Sequence, residues 1–177
     1  MSNRTRLFLG LVFTTSAVLL LTSVRRRTPV ENPQPIEIVP LTVGERFRAP
    51  LLRLGGESFA PAPCTIAVAI NPFCSGCDAL ARTIAIDDDP RLGENLLWIS
   101  SGNEQETIRF AETNRLDHSR VVFTTLLPDR TATDRMAALG IPMVPLFVIL
   151  DERAHVLNRR FYSELPAYDS LTQICQT

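Results

Sequence analysis

Cys74-Ser75-Gly76-Cys77 places two thiols at a spacing that lets them close a disulfide with each other and open it again. The flanking residues give that pair a setting. Cys64-Thr65-Ile66-Ala67-Val68-Ala69-Ile70 reads as a buried strand, Asn71-Pro72-Phe73 ends it, and Asp78-Ala79-Leu80-Ala81-Arg82 begins a helical pattern. A dithiol at a helix N-terminus meets unpaired N–H groups and the positive end of the helix dipole, which favour a thiolate. Cys74 is therefore the expected attacking thiol, and Cys77, a turn further in, the shielded resolving one.

A single C-x-x-C is also half of a zinc site, for which Cys64 and Cys175 are the formal remaining ligands. With residues 65–71 extended at ~3.3 Å per residue, Cys64 stands about 20 Å from Cys74, too far to share a metal. A static structural disulfide is the other plain reading of the pair. The strand, turn and helix around it favour a redox dithiol, and no metal or organic cofactor is expected.

The positioning elements can be traced along the chain. Leu41 to Glu45 and Leu51 to Gly56 suggest a short N-terminal hairpin or extension that turns at Gly55-Gly56. Asp87-Asp88-Asp89-Pro90 stops the first helix and reads as a solvated loop. Further strands are expected at residues 95–100, 121–125, 146–150 and 155–162, the last two joined by a tight turn at Asp151-Glu152-Arg153-Ala154. Helices are expected at 104–114, 131–139 and 166–174. Strands alternating with helices, then a hairpin and a helix, make a mixed α/β sheet covered on both faces.

Composition narrows the function. A chain of 177 residues with 45% hydrophobic content builds one domain with a proper core. The net charge is −1 and no basic block lies in the domain, which argues against nucleic acid as a partner. All 18 basic residues are arginine. Without lysine there is no Schiff-base chemistry and no P-loop. The only histidines, His118 and His155, read as surface residues, which leaves a Ser-His-Asp hydrolase without a base.

Residues 1–27 read as a targeting element. Arg4 and Arg6 precede an apolar run from Leu7 to Val24, and Arg25-Arg26-Arg27 closes it. At ~1.5 Å per residue the run extends about 27 Å, close to the hydrocarbon thickness of a bilayer. Leu21-Thr22-Ser23-Val24 makes a poor cleavage site, so an uncleaved anchor through the lipid bilayer at 7–24 is expected over a removed signal peptide. Residues 28–40, with Pro29, Pro33, Pro35 and Pro40, read as a semi-extended linker, and residues 41–177 as the folded domain. Arginines on both flanks leave the orientation open. Four cysteines suit an oxidising compartment, which places the domain on the extracytoplasmic (periplasmic) side of the cytoplasmic membrane.

From residue 41 to about 175 the chain resembles the thioredoxin superfamily, within it the membrane-anchored TlpA-like and cytochrome c maturation branch. Leu41-Thr42-Val43-Gly44-Glu45, the strand leading to Phe73-Cys74-Ser75-Gly76-Cys77, and Leu139 to Asp151 with Pro142 and Pro145 carry the resemblance. It implies a thioredoxin-like fold and a thiol-disulfide oxidoreductase with Cys74 and Cys77 as the reacting pair. Pro145, six residues before Asp151, is the implied cis-proline, and Val144 the residue whose backbone pairs with a partner chain. Phe73, Ser75 and Gly76 complete the implied support and docking surface. The implied partners are a disulfide- or dithiol-bearing extracytoplasmic protein, with an apo-cytochrome c as one case, and a membrane thiol electron donor.

The departures are specific. Phe73 replaces the usual tryptophan, and Val68 stands where thioredoxin keeps a buried acid. The proton relay to Cys77 is therefore missing or differently placed, and the direction of electron flow does not carry over. A peroxiredoxin would need other residues than Ala67 and Asn71 before its cysteine. In the implied fold Cys64 and the terminal helix reach the end of the sheet away from the dithiol. A structural disulfide between Cys64 and Cys175 and two separate buried thiols both remain open. The non-enzymatic alternative is a thioredoxin-fold accessory protein whose dithiol only stabilises it.

Overall fold

The computed structural model describes residues 35–86 and 96–161. Its strands are β1 (Leu51–Arg53), β2 (Ser58–Phe59), β3 (Thr65–Ile70), β4 (Leu96–Ser100), β5 (Val121–Thr124), β6 (Leu146–Leu150) and β7 (Val156–Phe161). The helices are α1 (Ser75–Ile86), α2 (Glu104–Thr113) and α3 (Ala132–Ala138), with a 3-10 turn at His118–Arg120. The strands form one sheet in the order β2-β1-β5-β4-β3-β6-β7. β3, β4 and β5 run parallel, while β6 is antiparallel to β3, β7 to β6, and β1 to β5.

β3 is an interior strand between β4 and β6, and its alternation sorts the core. Ala67 and Ala69 face one layer, which holds Leu41, Phe47, Met136, Leu139 and Ile141. Ile66, Val68 and Ile70 face the other, against Leu80, Ala81 and Ile84 of α1 and Phe110 of α2. Helices on both faces leave β3, β4 and β6 with almost wholly apolar sequences, as expected for doubly covered strands. In register with Val68 stand Trp98 on β4 and Phe147 on β6, both on the α1 face of the sheet. Trp98 packs tilted against Phe110, with ring centroids 6.4 Å apart.

Several expected boundaries shift for local reasons. The 104–114 helix ends at Thr113, and Asn103 caps its start in a reciprocal box with Glu106. Thr131 is likewise the cap of α3 rather than its first helical residue, with Asp134 answering it. The α1 helix starts at Ser75, three residues before the apolar pattern suggested, so Cys77 already sits in its first turn. Residues 41–45 do not pair with 51–56. The hairpin that turns at Gly55-Gly56 joins Leu51 to Phe59 and Leu52 to Ser58. Residues 41–47 instead lie against the turn and start of β7, where Gly44 N–H donates to Val156 O (2.7 Å) and Phe47 N–H to Ala154 O (2.7 Å). The final strand begins at Val156, and His155 makes only a bridge to Arg46.

The anchor at 7–24, most of the linker, the Asp87–Pro90 loop and the helix expected at 166–174 lie outside the described residues. Among the described residues no helix is long and apolar enough to cross a membrane.

Candidate active site

The C-terminal ends of the parallel strands β3 and β4 bring three loops together. Asn71 organises the first. Its carbonyl accepts the Cys74 N–H (3.0 Å) and its Oδ1 the Phe73 N–H (2.9 Å), a side-chain-closed turn that carries the chain from β3 into α1. Gly102 sits where the second loop crosses the first. A Cβ there would lie 2.5 Å from Pro72 Cγ, so only glycine allows this approach. Ser101 N–H donates to Ile70 O (3.0 Å), tying the two strand ends together. Arg135 of α3, 2% exposed, fastens the arrangement by donating to the carbonyls of Ser101 and Arg130 and pairing with Glu106 Oε2 at 2.9 Å.

Cys74 precedes the first residue of α1, and its carbonyl accepts from the N–H of Cys77 (3.0 Å) and Asp78 (3.1 Å). The Cys77 N–H also reaches Cys74 Sγ, at 3.3 Å. Both thiols are free; Cys74 is half-buried and Cys77 fully buried. Burial is the main influence that pushes the Cys77 thiol up from its ordinary range. Its hydrogen bond to Cys74 acts in the same direction, the Asn71 backbone opposes it, and the charges of Cys74 and Asp78 add to the rise. One thiol is thus open to a partner, and the other is held protonated behind it.

Facing the pair is the loop before β6. The Val144–Pro145 peptide is cis, and the Val144 carbonyl oxygen lies 3.9 Å from Cys74 Sγ. A Cβ placed on Gly76 would be 3.7 Å from Cys74 Sγ and 3.9 Å from Pro145 Cδ, so the dithiol turn and Pro145 are in close packing. Phe73 is 69% exposed and Met143 58%, leaving two large apolar side chains on loops that flank the sulfurs. The resemblance pointed to Phe73, Ser75, Gly76, Val144 and Pro145, and these residues gather around Cys74 and Cys77 or on their loop.

Met143 and Asp78 were not singled out from the sequence. Met143 reads as an ordinary apolar residue between two prolines, and only its exposure distinguishes it. Asp78 reads as a first-turn acid suited to the helix dipole. In the fold its Oδ1 accepts from Asn114 Nδ2 at 2.9 Å, and it borders a cavity of about 220 Å³ with Phe73, Glu106 and Arg109.

The remaining candidates lie elsewhere. Asp151 and His155 form a pair at 3.1 Å in the β6–β7 turn, at the Thr65 end of β3 and away from the dithiol. The backbone N–H of His155 is the leading cause that lowers the Asp151 carboxyl. His118 is exposed before β5 at that same end. Cys64 precedes β3 and is disulfide-bonded, while Cys175, the candidate partner in the sequence, lies outside the described residues. Among the described residues no three His, Cys, Asp or Glu side chains gather as a metal set.

No protein-family model and no curated protein matches the sequence. Solved structures do match the fold. A protein from Aquifex aeolicus VF5, provisionally described as an electron transfer protein, is 14% identical and superposes with a TM-score of 0.53, covering 76% of this chain and 95% of its own. A thiol:disulfide interchange protein from Bacteroides sp. is 13% identical with a TM-score of 0.51, covering 77% of this chain and 90% of its own. The C-terminal domain of an uncharacterized protein from Bacteroides fragilis NCTC 9343 is 12% identical, also at 0.51, with 75% and 96% covered. The sheet order, the dithiol at the start of α1 and the likeness to these structures make this chain a thioredoxin-fold protein.

Proposed function

We propose that the chain is an extracytoplasmic, membrane-anchored thiol-disulfide oxidoreductase that reduces or exchanges disulfides in secreted proteins through Cys74 and Cys77. The observation that carries this reading is the asymmetry of the pair. Cys74 is half-buried with its Sγ 3.9 Å from the Val144 carbonyl oxygen, and Cys77 is buried with its N–H 3.3 Å from Cys74 Sγ. Cys74 as thiolate attacks a partner disulfide, one partner sulfur leaves as a thiol, and a mixed disulfide forms. Cys77 then attacks Cys74 Sγ, the second partner thiol leaves, and the Cys74–Cys77 disulfide remains. Two electrons pass to the partner, and the reverse sequence uses the same atoms.

Recognition follows from the rim. The backbone at Val144 offers hydrogen bonds to an extended segment, and exposed Phe73 and Met143 supply apolar contact without selecting one sequence. An apo-cytochrome c or another secreted dithiol protein fits such tolerant docking, and a membrane thiol protein would return electrons to the pair. The bonded state of Cys64 supports an oxidising compartment. The apolar run at 7–24 supports the anchor and the proline-bearing segment at 28–40 the tether.

The deciding experiment is the reduction potential of the Cys74–Cys77 pair in the full-length protein, by dithiothreitol and glutathione titration with alkylation and mass readout. A two-electron transition below about −230 mV marks a reductant, and one near about −120 to −180 mV an oxidase or isomerase. No transition over that whole range overturns the reading and leaves the accessory-protein alternative.

A further inference from the structure

The segment just before Leu41 is fastened to the domain beside the reacting loops. Arg48 donates from Nη1 to Val39 O and from Nη2 to Pro40 O (3.2 Å). Glu45 holds the same guanidinium in a two-pronged pair, at Nε (2.7 Å) and Nη2 (3.1 Å). The Leu41 N–H donates to Gly140 O (2.8 Å), just past α3. Gly140 has a φ of 74°, and a Cβ there would lie 2.6 Å from the Leu41 nitrogen, so glycine is what lets the segment come this close. With the carbonyls of Val39 and Pro40 held, the place of Ile38 is set.

Ile38 forms one wall of a cavity of about 120 Å³ between α3 and the loop before β6. Met136 and Ile141 are buried at its base, while Ile38, 44% exposed, and Met143 are open at its mouth. The lining is apolar apart from Asn71 and Thr133, and these engage each other, Asn71 Nδ2 donating to Thr133 Oγ1 at 3.4 Å. Val144 belongs both to this cavity and to the reacting centre, because its carbonyl oxygen is the one 3.9 Å from Cys74 Sγ. The cavity is therefore continuous with the place where a partner sulfur meets Cys74. At ~3.3 Å per residue, an extended partner reaches it with a residue one or two positions from its own cysteine. The volume is the share of roughly four water molecules in the liquid, enough for one aliphatic side chain and too little for a length of peptide.

We infer that Ile38 is a specificity-determining residue, walling a pocket that takes one aliphatic side chain of the disulfide partner, one or two residues from its reacting cysteine. The inference rests on the oxidoreductase reading above. A leucine or isoleucine entering the pocket leaves water and meets Ile38, Met136 and Ile141, whereas a charged or hydroxyl-bearing side chain would lose its hydration against them. The tolerant docking described above is thereby narrowed to partners that carry an aliphatic residue close to the cysteine.

The test uses the full-length protein, reduced at Cys74 and Cys77, and serine-rich peptides whose single cysteine is capped as a mixed disulfide with thionitrobenzoate. The Cys74 thiolate bonds to the peptide sulfur and the coloured thiolate leaves, so colour reports the first step alone. Leucine, placed in turn at each of the two positions on either side of the cysteine, is compared with serine throughout. At one of these positions leucine is expected to raise the second-order rate constant about tenfold over serine. Ile38→Trp fills the pocket and brings that ratio close to one. Ile38→Ala widens it, and the preferred residue moves from leucine to phenylalanine. Each ratio compares two peptides on the same protein, so general damage to the fold or the dithiol cancels. No position at which leucine exceeds serine, or the same ratio in Ile38→Trp as in the unaltered protein, overturns the inference. Colour released no faster than by Cys74→Ser strikes the oxidoreductase reading, and the inference with it.

Discussion

Cys74 Sγ lies 3.9 Å from the carbonyl oxygen of Val144, so the half-buried thiol and the backbone of the facing loop address the same space. A partner segment paired to Val144 would carry its own sulfur toward Cys74. Cys74→Ser is expected to bring insulin-disulfide reduction down to the uncatalysed rate. Cys77→Ala should instead accumulate a covalent complex with the substrate, seen as a mass increment that reductant removes. A Cys74→Ser protein that still reduced disulfides would sink the assignment.

The raised Cys77 thiol makes stability depend on alkaline pH. The folded state keeps the proton to higher pH than the unfolded state, so the unfolded chain releases it first. The stabilisation is complete below the unfolded value of about 8.5 and is lost as pH rises above it. The reduced protein should lose up to about 1.4 kcal/mol per pH unit there through this group, and Cys77→Ala should decline less steeply in urea titrations at pH 8 to 10. Parallel declines would show that Cys77 titrates alike in both states.

Glu106 and the buried Arg135 are 2.9 Å apart, and the same carboxylate oxygen accepts the Asn103 N–H at 2.7 Å. Glu106→Ala removes the helix cap partner and leaves a guanidinium unpaired in the core. A loss of about 3 kcal/mol or more is expected in chemical denaturation. Arg135→Met should cost less, because the charge is removed together with its need for a partner.

Gly102→Ala forces a Cβ against Pro72 Cγ at 2.5 Å and Glu106 Cβ at 3.0 Å. Pro72 belongs to the turn that sets Cys74. The substitution should cost about 1–3 kcal/mol and slow the attack of Cys74 on an aryl disulfide such as dithiobis-nitrobenzoate, read from the first equivalent of coloured thiolate released. Normal stability and rate would mean that the two loops can separate freely.

Cys64 is disulfide-bonded just before β3. Peptide mapping of alkylated, unreduced protein is expected to recover Cys64 joined to Cys175. Cys64→Ser should then lower stability by about 2–5 kcal/mol while leaving the Cys74–Cys77 chemistry in place. Recovery of Cys175 as an alkylated thiol would contradict the pairing.

The amino-acid sequence by itself determined the interior strands and the dithiol. β3, β4 and β6 are continuous apolar runs, which is what a strand covered on both faces requires, and Cys74 and Cys77 are adjacent in the chain, so their pairing needed no long-range information. Local chemistry also placed the turn at Gly55-Gly56 and the neighbourhood of each helix start. Tertiary structure decided what depends on distant residues. The 41–45 segment chose the β6–β7 turn over the 51–56 strand because Gly44, Glu45 and Phe47 find backbone partners there. Asp78 became more than a first-turn acid only when folding set Asn114, 36 positions away, against its carboxylate. Met143 gained its place on the rim from a loop whose position is set by β6 pairing with β3. Periodicity reports which face of an element is apolar, but it carries no record of which loops meet at the sheet's end, and that meeting is what builds the site.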